Sequence, residues 1–135
     1  MDATASIKER IAQFRGYATL DARRDDDELI RSYVGEALAA LEADHMDYFP
    51  GREAELQNLV IRAGFMNQMA FRAFEYAKSD PTRLEPLVAT DLELLDLADK
   101  AKVVAAADAG ALVDAIVAAF DKRDAFMRVA GGATV

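Results

Sequence analysis

The clearest structural signal in the chain is the stretch DDDELIRSYVGEALAAL, residues 25–41. Its apolar residues recur three and four positions apart, the spacing that lines one face of an α-helix. Negative side chains complement the positive end of the helix dipole, so the acidic run Asp25–Glu28 predicts the helix start. The alternative interpretation of this run is a cation site or a docking patch for a basic partner.

Sequence patterns typical of helix starts and helix ends also occur on both sides of this stretch. Capping-box patterns at Ser6–Glu9 and Thr90–Glu93 predict two helix starts, and Gly16 predicts the end of the first helix. The longest candidate helix runs from Glu53 to Lys78, where Ser79-Asp80-Pro81 stops it and opens a short helical turn through Leu87.

The C-terminal part contains the remaining helices. We expect the helix after Thr90 to end near Ala107, and a last helix to follow Asp108 or Gly110 and to close at Gly131-Gly132. Strand-like alternation is absent from the sequence. The predicted fold class is therefore all-α, an irregular bundle of about five helices, with one domain over residues 1–130 and a flexible tail at 131–135.

Composition excludes several classes of function. The 24 acidic and 16 basic residues give a net charge of −8, which disfavours specific nucleic-acid binding. Without cysteine, disulfides, thiolate nucleophiles and Cys-ligated zinc are impossible. No secretory leader is recognisable, and no run approaches the roughly 18 apolar residues of a membrane span. We expect a cytoplasmic or virion-borne protein.

Candidate catalytic, cofactor and metal sites are weak. His45, the one histidine, lies between Asp44 and Asp47 and could offer three metal ligands with them, but an ordinary polar loop explains this segment better. No serine is paired with a plausible histidine and acid, and no glycine-rich phosphate loop precedes a helix. We therefore expect a non-enzymatic protein without a cofactor.

The second half of the longest candidate helix is apolar most of the way round, so it needs more than one neighbour to cover it. Its large side chains could be core, could line a small-molecule cavity or could face another subunit. As an interface hypothesis we select these, together with Val135 of a tail that could order on a partner: Phe65, Met66, Met69, Phe71, Phe74 and Tyr76.

The order of elements over residues 1–78 resembles the helical head-tail connectors of tailed bacteriophages. The resemblance rests on a short first helix over Ile7–Arg15, the acidic helix start at Asp25–Ala37 and the long apolar helix over Leu56–Tyr76. It implies a ring of identical subunits that joins portal and tail-side virion proteins. In such a ring DNA is only passing cargo, which a negatively charged channel wall would not bind.

The alternative is an all-helical ligand-binding or regulatory domain. The segment Phe71–Leu97 resembles the C-terminal, ligand-binding halves of bacterial repressors. A hydrophobic pocket lined by Phe65, Met69 and Phe74 would favour that alternative.

Overall fold

The computed structural model describes residues 2–65, 73–74 and 84–130, which contain five α-helices and no strand. The prediction of an all-α bundle of about five helices is confirmed. The helices are α1 (Ala3–Lys8), α2 (Leu20–His45), α3 (Glu53–Gly64), α4 (Glu85–Ala101) and α5 (Ala106–Ala130), with a 3-10 turn at Met46–Tyr48. No described helix is both long and apolar enough to cross a bilayer.

Several predicted helix ends are wrong because a better cap lies nearby. Asp2 starts α1 by accepting a hydrogen bond from the backbone N–H of Ala5 at 2.8 Å, so Ser6 lies inside the helix, which ends at Lys8 rather than Gly16. Thr19 caps α2 through the N–H of Ala22, six residues before the predicted start at Asp25. The acidic run is therefore part of the helix interior and not its first turn.

The boundaries of α3, α4 and α5 also differ from prediction. At Phe65 the backbone is extended (φ −122°, ψ 137°), which interrupts the helix expected to continue to Lys78. The hydroxyl of Thr90 donates to the carbonyl of Pro86 inside α4, so it does not cap a helix start. Helix α4 ends at Ala101 rather than near Ala107, and α5 already begins at Ala106.

Two apolar clusters form the core. The larger cluster lies between α2, α3, α4 and α5, with Leu38, Leu56, Leu94 and Ile116 fully buried. The second lies where α1 and the following loop cover α2 and α4; it contains Ile7, Phe14, Tyr17, Ile30, Phe74, Leu87 and Met127. Tyr33 packs against both clusters, so the two are continuous.

The loop between α1 and α2 turns at two consecutive left-handed residues, Gly16 (φ 67°) and Tyr17 (φ 60°). A Cβ on Gly16 would lie 2.9 Å from Cγ2 and 3.0 Å from Oγ1 of Thr4 in α1. Rotating the threonine does not relieve this contact, because each rotamer leaves one branch near the glycine. Gly16 is thus needed both for its conformation and for the close approach of α1.

We predict that Gly16→Ala destabilises the fold by about 2–3 kcal/mol, since it adds a clash to the usual 1–2 kcal/mol of left-handed strain. The matched control is Gly51→Ala, because Gly51 is also left-handed (φ 76°) but has open space where a Cβ would be. Urea unfolding measures both variants. Equal losses in the two would show that the contact with Thr4 contributes nothing.

Candidate functional site

Charged side chains are buried at the centre of the molecule, where α2, α4, α5 and the α1–α2 loop meet. Arg123 of α5 is almost fully buried and lies between two enclosed carboxylates. Its Nε donates to Asp91 Oδ1 at 2.7 Å, and its Nη2 lies 2.7 Å from Asp27 Oδ1. That second contact is an ion pair only, because Asp27 Oδ1 accepts no hydrogen bond from the described residues.

Two more side chains complete this buried ion network. The Tyr17 hydroxyl donates to Asp91 Oδ2 and accepts a hydrogen bond from Arg123 Nη2 at 3.1 Å. Arg31 Nε donates to Asp27 Oδ2 at 2.9 Å, and its Nη1 reaches the carbonyl of Ala63 in α3 at 3.3 Å. The network joins two carboxylates to two guanidinium groups, so its formal charges balance.

Burial and neighbouring charges shift the pKa values of these groups. Burial raises the pKa of Asp91, and Arg123 and the Tyr17 hydroxyl offset only part of that rise. Burial and then the Asp91 carboxylate raise the pKa of Tyr17 well above its usual value. For Arg123, burial alone would lower the pKa, but the adjacent carboxylates keep it well above the usual value.

A carboxyl with a raised pKa is a common feature of catalytic sites. Asp91, however, is fully buried, and both of its oxygens accept hydrogen bonds from Tyr17 and Arg123. In this conformation a substrate cannot touch Asp91. The network acts as a structural clamp between five segments: α2, α3, α4, α5 and the α1–α2 loop.

The clamp includes the strained loop itself. Asp26 accepts hydrogen bonds from the backbone N–H groups of Arg15 and Tyr17 at 3.1 and 2.9 Å, and Arg23 Nε donates to the carbonyl of Tyr17 at 3.1 Å. Burial raises the pKa of Asp26, whereas these N–H donors lower it in part. Two consecutive aspartates of the acidic run, Asp26 and Asp27, thus bind the loop and the core.

A second polar cluster lies at the surface between α2, α4 and the end of α1. The Tyr33 hydroxyl donates to Asp99, and Lys102 Nζ lies 4.5 Å from the centroid of the Tyr33 ring. Arg10 pairs with Asp96 at 2.7 Å and with Asp99 at 3.3 Å. Partial burial alone would lower the pKa of Lys102, but Tyr33 and Asp99 raise it, which disfavours a neutral nucleophilic amine.

Of the residues selected for the interface hypothesis, the structure describes Phe65 and Phe74, and these two lie in different environments. The Phe65 side chain is 71% exposed, whereas Phe74 is 3% exposed and stacks on Tyr17 with ring centroids 5.6 Å apart. Phe74 therefore packs in the core of its own subunit and is not presented to a neighbour. Phe65 and Phe74 do not share the enclosed pocket that the repressor-like alternative requires. The other members of the set lie outside the described residues: Met66, Met69, Phe71, Tyr76 and Val135.

The segment considered for metal binding also has a simple structure. His45 is the last residue of α2, and its ring stacks on Tyr48 with centroids 4.4 Å apart. Among residues 2–65, 73–74 and 84–130, no three potential ligands gather around one point.

Helix α3 has an outward face without charged side chains, which sequence reasoning missed except for Phe65. Ala54, Gln57, Asn58 and Ile61 lie at helical spacing on one side of α3 and are exposed, as is Phe65, which directly follows the helix. We call these five residues the α3 outer face. Ile61 is 57% and Phe65 71% exposed, so the face ends in a pair of large apolar side chains.

The cations of α3 point away from this outer face and toward α5. Arg62 Nη2 lies 2.9 Å from Asp121 and 2.7 Å from Asp124, with its guanidinium over the Phe120 ring. Arg52 pairs with Asp114 and with Glu55. These ion pairs fix α3 alongside α5 and leave the outer face uncharged.

Comparison with known proteins identifies no relative: no family model, no curated protein and no solved structure matches the chain.

For the buried ion network, we predict that Arg123→Met destabilises the protein by about 3–5 kcal/mol at pH 7, because it leaves Asp27 and Asp91 buried without their shared cation. The matched control is Lys122→Met next to it, which breaks a half-exposed pair with Glu93 at 3.5 Å and should cost at most about 1 kcal/mol. Chemical denaturation with circular dichroism measures both variants.

The deficit of Arg123→Met should shrink as the pH falls from 7 to 5. Burial already raises the pKa of Asp91, and without the Arg123 cation that opposes this rise the folded-state pKa of Asp91 lies further above the unfolded value. The folded variant then binds protons first and gains stability as the pH drops through that pKa. A deficit independent of pH would show that the lost interaction is packing rather than charge.

Proposed function

We propose that this chain is a non-enzymatic assembly subunit that binds other protein subunits through the α3 outer face. The observation that carries the proposal is the lack of charge on that face, from Ala54 to Phe65. Charged residues make up 30% of the sequence, yet none of the five exposed residues of this face is charged. Protein interfaces are depleted of charge at their centres and enriched in aromatic residues.

Two features of the α3 outer face favour contact with another protein subunit over permanent exposure to solvent. Ile61 and Phe65 are 57% and 71% exposed at the C-terminal end of α3, so two large apolar side chains are exposed on a face that carries no charge. The flanking Arg52 and Arg62 are engaged by carboxylates of α3 and α5, so a docking partner would not have to desolvate a free cation there.

The specific assembly that we propose is the ring of a phage head-tail connector, bound between portal and tail-side proteins. What supports it is the order of a short first helix, an acid-rich second helix and a third helix that ends at Gly64, together with the all-helical fold and the net charge of −8. In such a ring the α3 outer face binds a neighbouring copy, and the acidic surface repels the DNA that passes through the channel.

The test is the molar mass of the assembly by size-exclusion chromatography with light scattering. We expect the wild-type chain to associate, either alone at high concentration or with a purified portal ring. The double variant Ile61→Glu/Phe65→Glu should weaken that association about 30-fold or more, as expected for the loss of central contact residues.

The matched control is Val103→Glu. Val103 is 84% exposed in the connection between α4 and α5, so this change adds a charge at an exposed apolar site away from α3. It should leave association unchanged, and circular dichroism should show all variants folded. A wild-type chain that stays monomeric in every condition, with and without the portal ring, would exclude the proposal.

A further inference from the structure

A groove runs along α2, and one half of it is also lined by Val60, Ala63 and Gly64 of α3. It consists of two adjoining depressions with volumes of about 340 and 330 Å³, and Glu28 and Ser32 line both. The first depression extends toward Arg15 and Asp25, and the second lies between α2 and α3. We call the two together the α2–α3 groove.

The second depression has a floor of small side chains. It is lined by Ser32, Gly35 and Ala39 of α2 and by Ala63 and Gly64 of α3. A Cβ on Gly35 would lie 3.5 Å from Cβ of Ala63, whereas a Cβ on Gly64 would meet nothing within 4 Å. The groove is therefore shallow over Gly35 and open at Gly64, which lets another backbone approach closely.

The rim of the groove is acidic. Asp25, Glu28 and Glu36 are exposed at helical spacing along α2 and make no ion pair or hydrogen bond with any described residue. Of the cations that line the groove, Arg31 is buried against Asp27, whereas Arg15 is exposed. The described walls thus present three exposed carboxylates and one exposed guanidinium group, so the exposed charge of the groove is negative.

We propose that the α2–α3 groove binds a helical segment of a different protein, one that carries Lys or Arg toward α2 and small apolar residues toward α3. The inference rests on the proposed function, since both make the chain a binding protein, and it names the chemistry of the partner. Charge complementarity gives the orientation: cations of the segment meet Asp25, Glu28 and Glu36, and its apolar side meets Val60, Ala63 and Gly64.

A second copy of this chain fits the groove less well. Its net charge of −8 opposes the approach of another acidic rim. If the copy docked through its α3 outer face, it would bring no free cation, because Arg52 and Arg62 are already paired. The carboxylates of α2 would then remain unpaired, so a basic partner is the better occupant.

The experiment uses a fluorescent designed helix of about 18 residues, long enough to be helical, with Lys on one face and Ala and Leu on the other. A second probe has Glu in place of every Lys. Fluorescence anisotropy measures binding to the full chain at low salt, and NMR amide shifts of Ser32, Gly35 and Gly64 locate the bound probe.

We expect the Lys helix to bind and the Glu helix not to bind. Glu28→Gln/Glu36→Gln should weaken binding roughly fivefold or more, since it removes two charge contacts. The matched control is Asp44→Asn/Asp47→Asn, which removes the same charge from exposed positions at the end of α2. It should leave the affinity unchanged.

Three results would overturn the inference: no binding of the Lys helix, equal weakening by both double variants, or amide shifts that avoid the groove. The assembly test separates this inference from the proposed function. If Ile61→Glu/Phe65→Glu dissociates an assembly while the Lys helix fails to bind, only the groove inference is wrong. If the Lys helix binds at the groove but the chain never associates, the ring is wrong and the groove stands.

Discussion

The ion pairs of Arg123 with Asp27 and Asp91 are the constraint on which the rest of the structure depends. They fix the positions of α5, α2 and α4 relative to one another. Hydrogen bonds of Tyr17 and Arg31 connect these ion pairs to the α1–α2 loop and to α3. Buried ion pairs add little net stability compared with apolar packing, but losing one partner is costly. Only an arrangement that pairs every charge is tolerated, so the network restricts the ways in which these amphipathic helices can pack.

This restriction has consequences at the surface. With α2 fixed by Asp27 and Arg31, its opposite side places Asp25, Glu28 and Glu36 along the groove. With α3 held to α2 and α5, the charges of Arg52 and Arg62 turn inward to carboxylates, and Ile61 and Phe65 face solvent. The proposed binding surfaces are thus a consequence of how the interior charges are satisfied.

Phe65 and Phe74 show why composition alone did not locate the interface. Both belong to one aromatic stretch, yet the backbone leaves the helix at Phe65, and Phe74 packs on Tyr17 in the core. A single continuous helix would place the two side chains by helical spacing, but the extended backbone at Phe65 ends α3 before that spacing applies. The lack of charge on α3 is readable in the sequence, but its meaning depends on knowing which side of α3 faces outward.

The sequence by itself determined the all-helical fold class and the apolar stripe of α2, because helical periodicity is local and residues three and four apart must share a face. It also contained the acidic run that proved central. Only the tertiary structure decided what that run does. Asp26 is buried under the α1–α2 loop, where it accepts a hydrogen bond from the backbone N–H of Tyr17, and Asp27 is buried against Arg123, which comes from the distant helix α5. Tertiary charge pairing produces no periodic pattern in the sequence. The preference of acidic residues for helix N-termini therefore predicts a helix start at these carboxylates, which lie inside α2 instead.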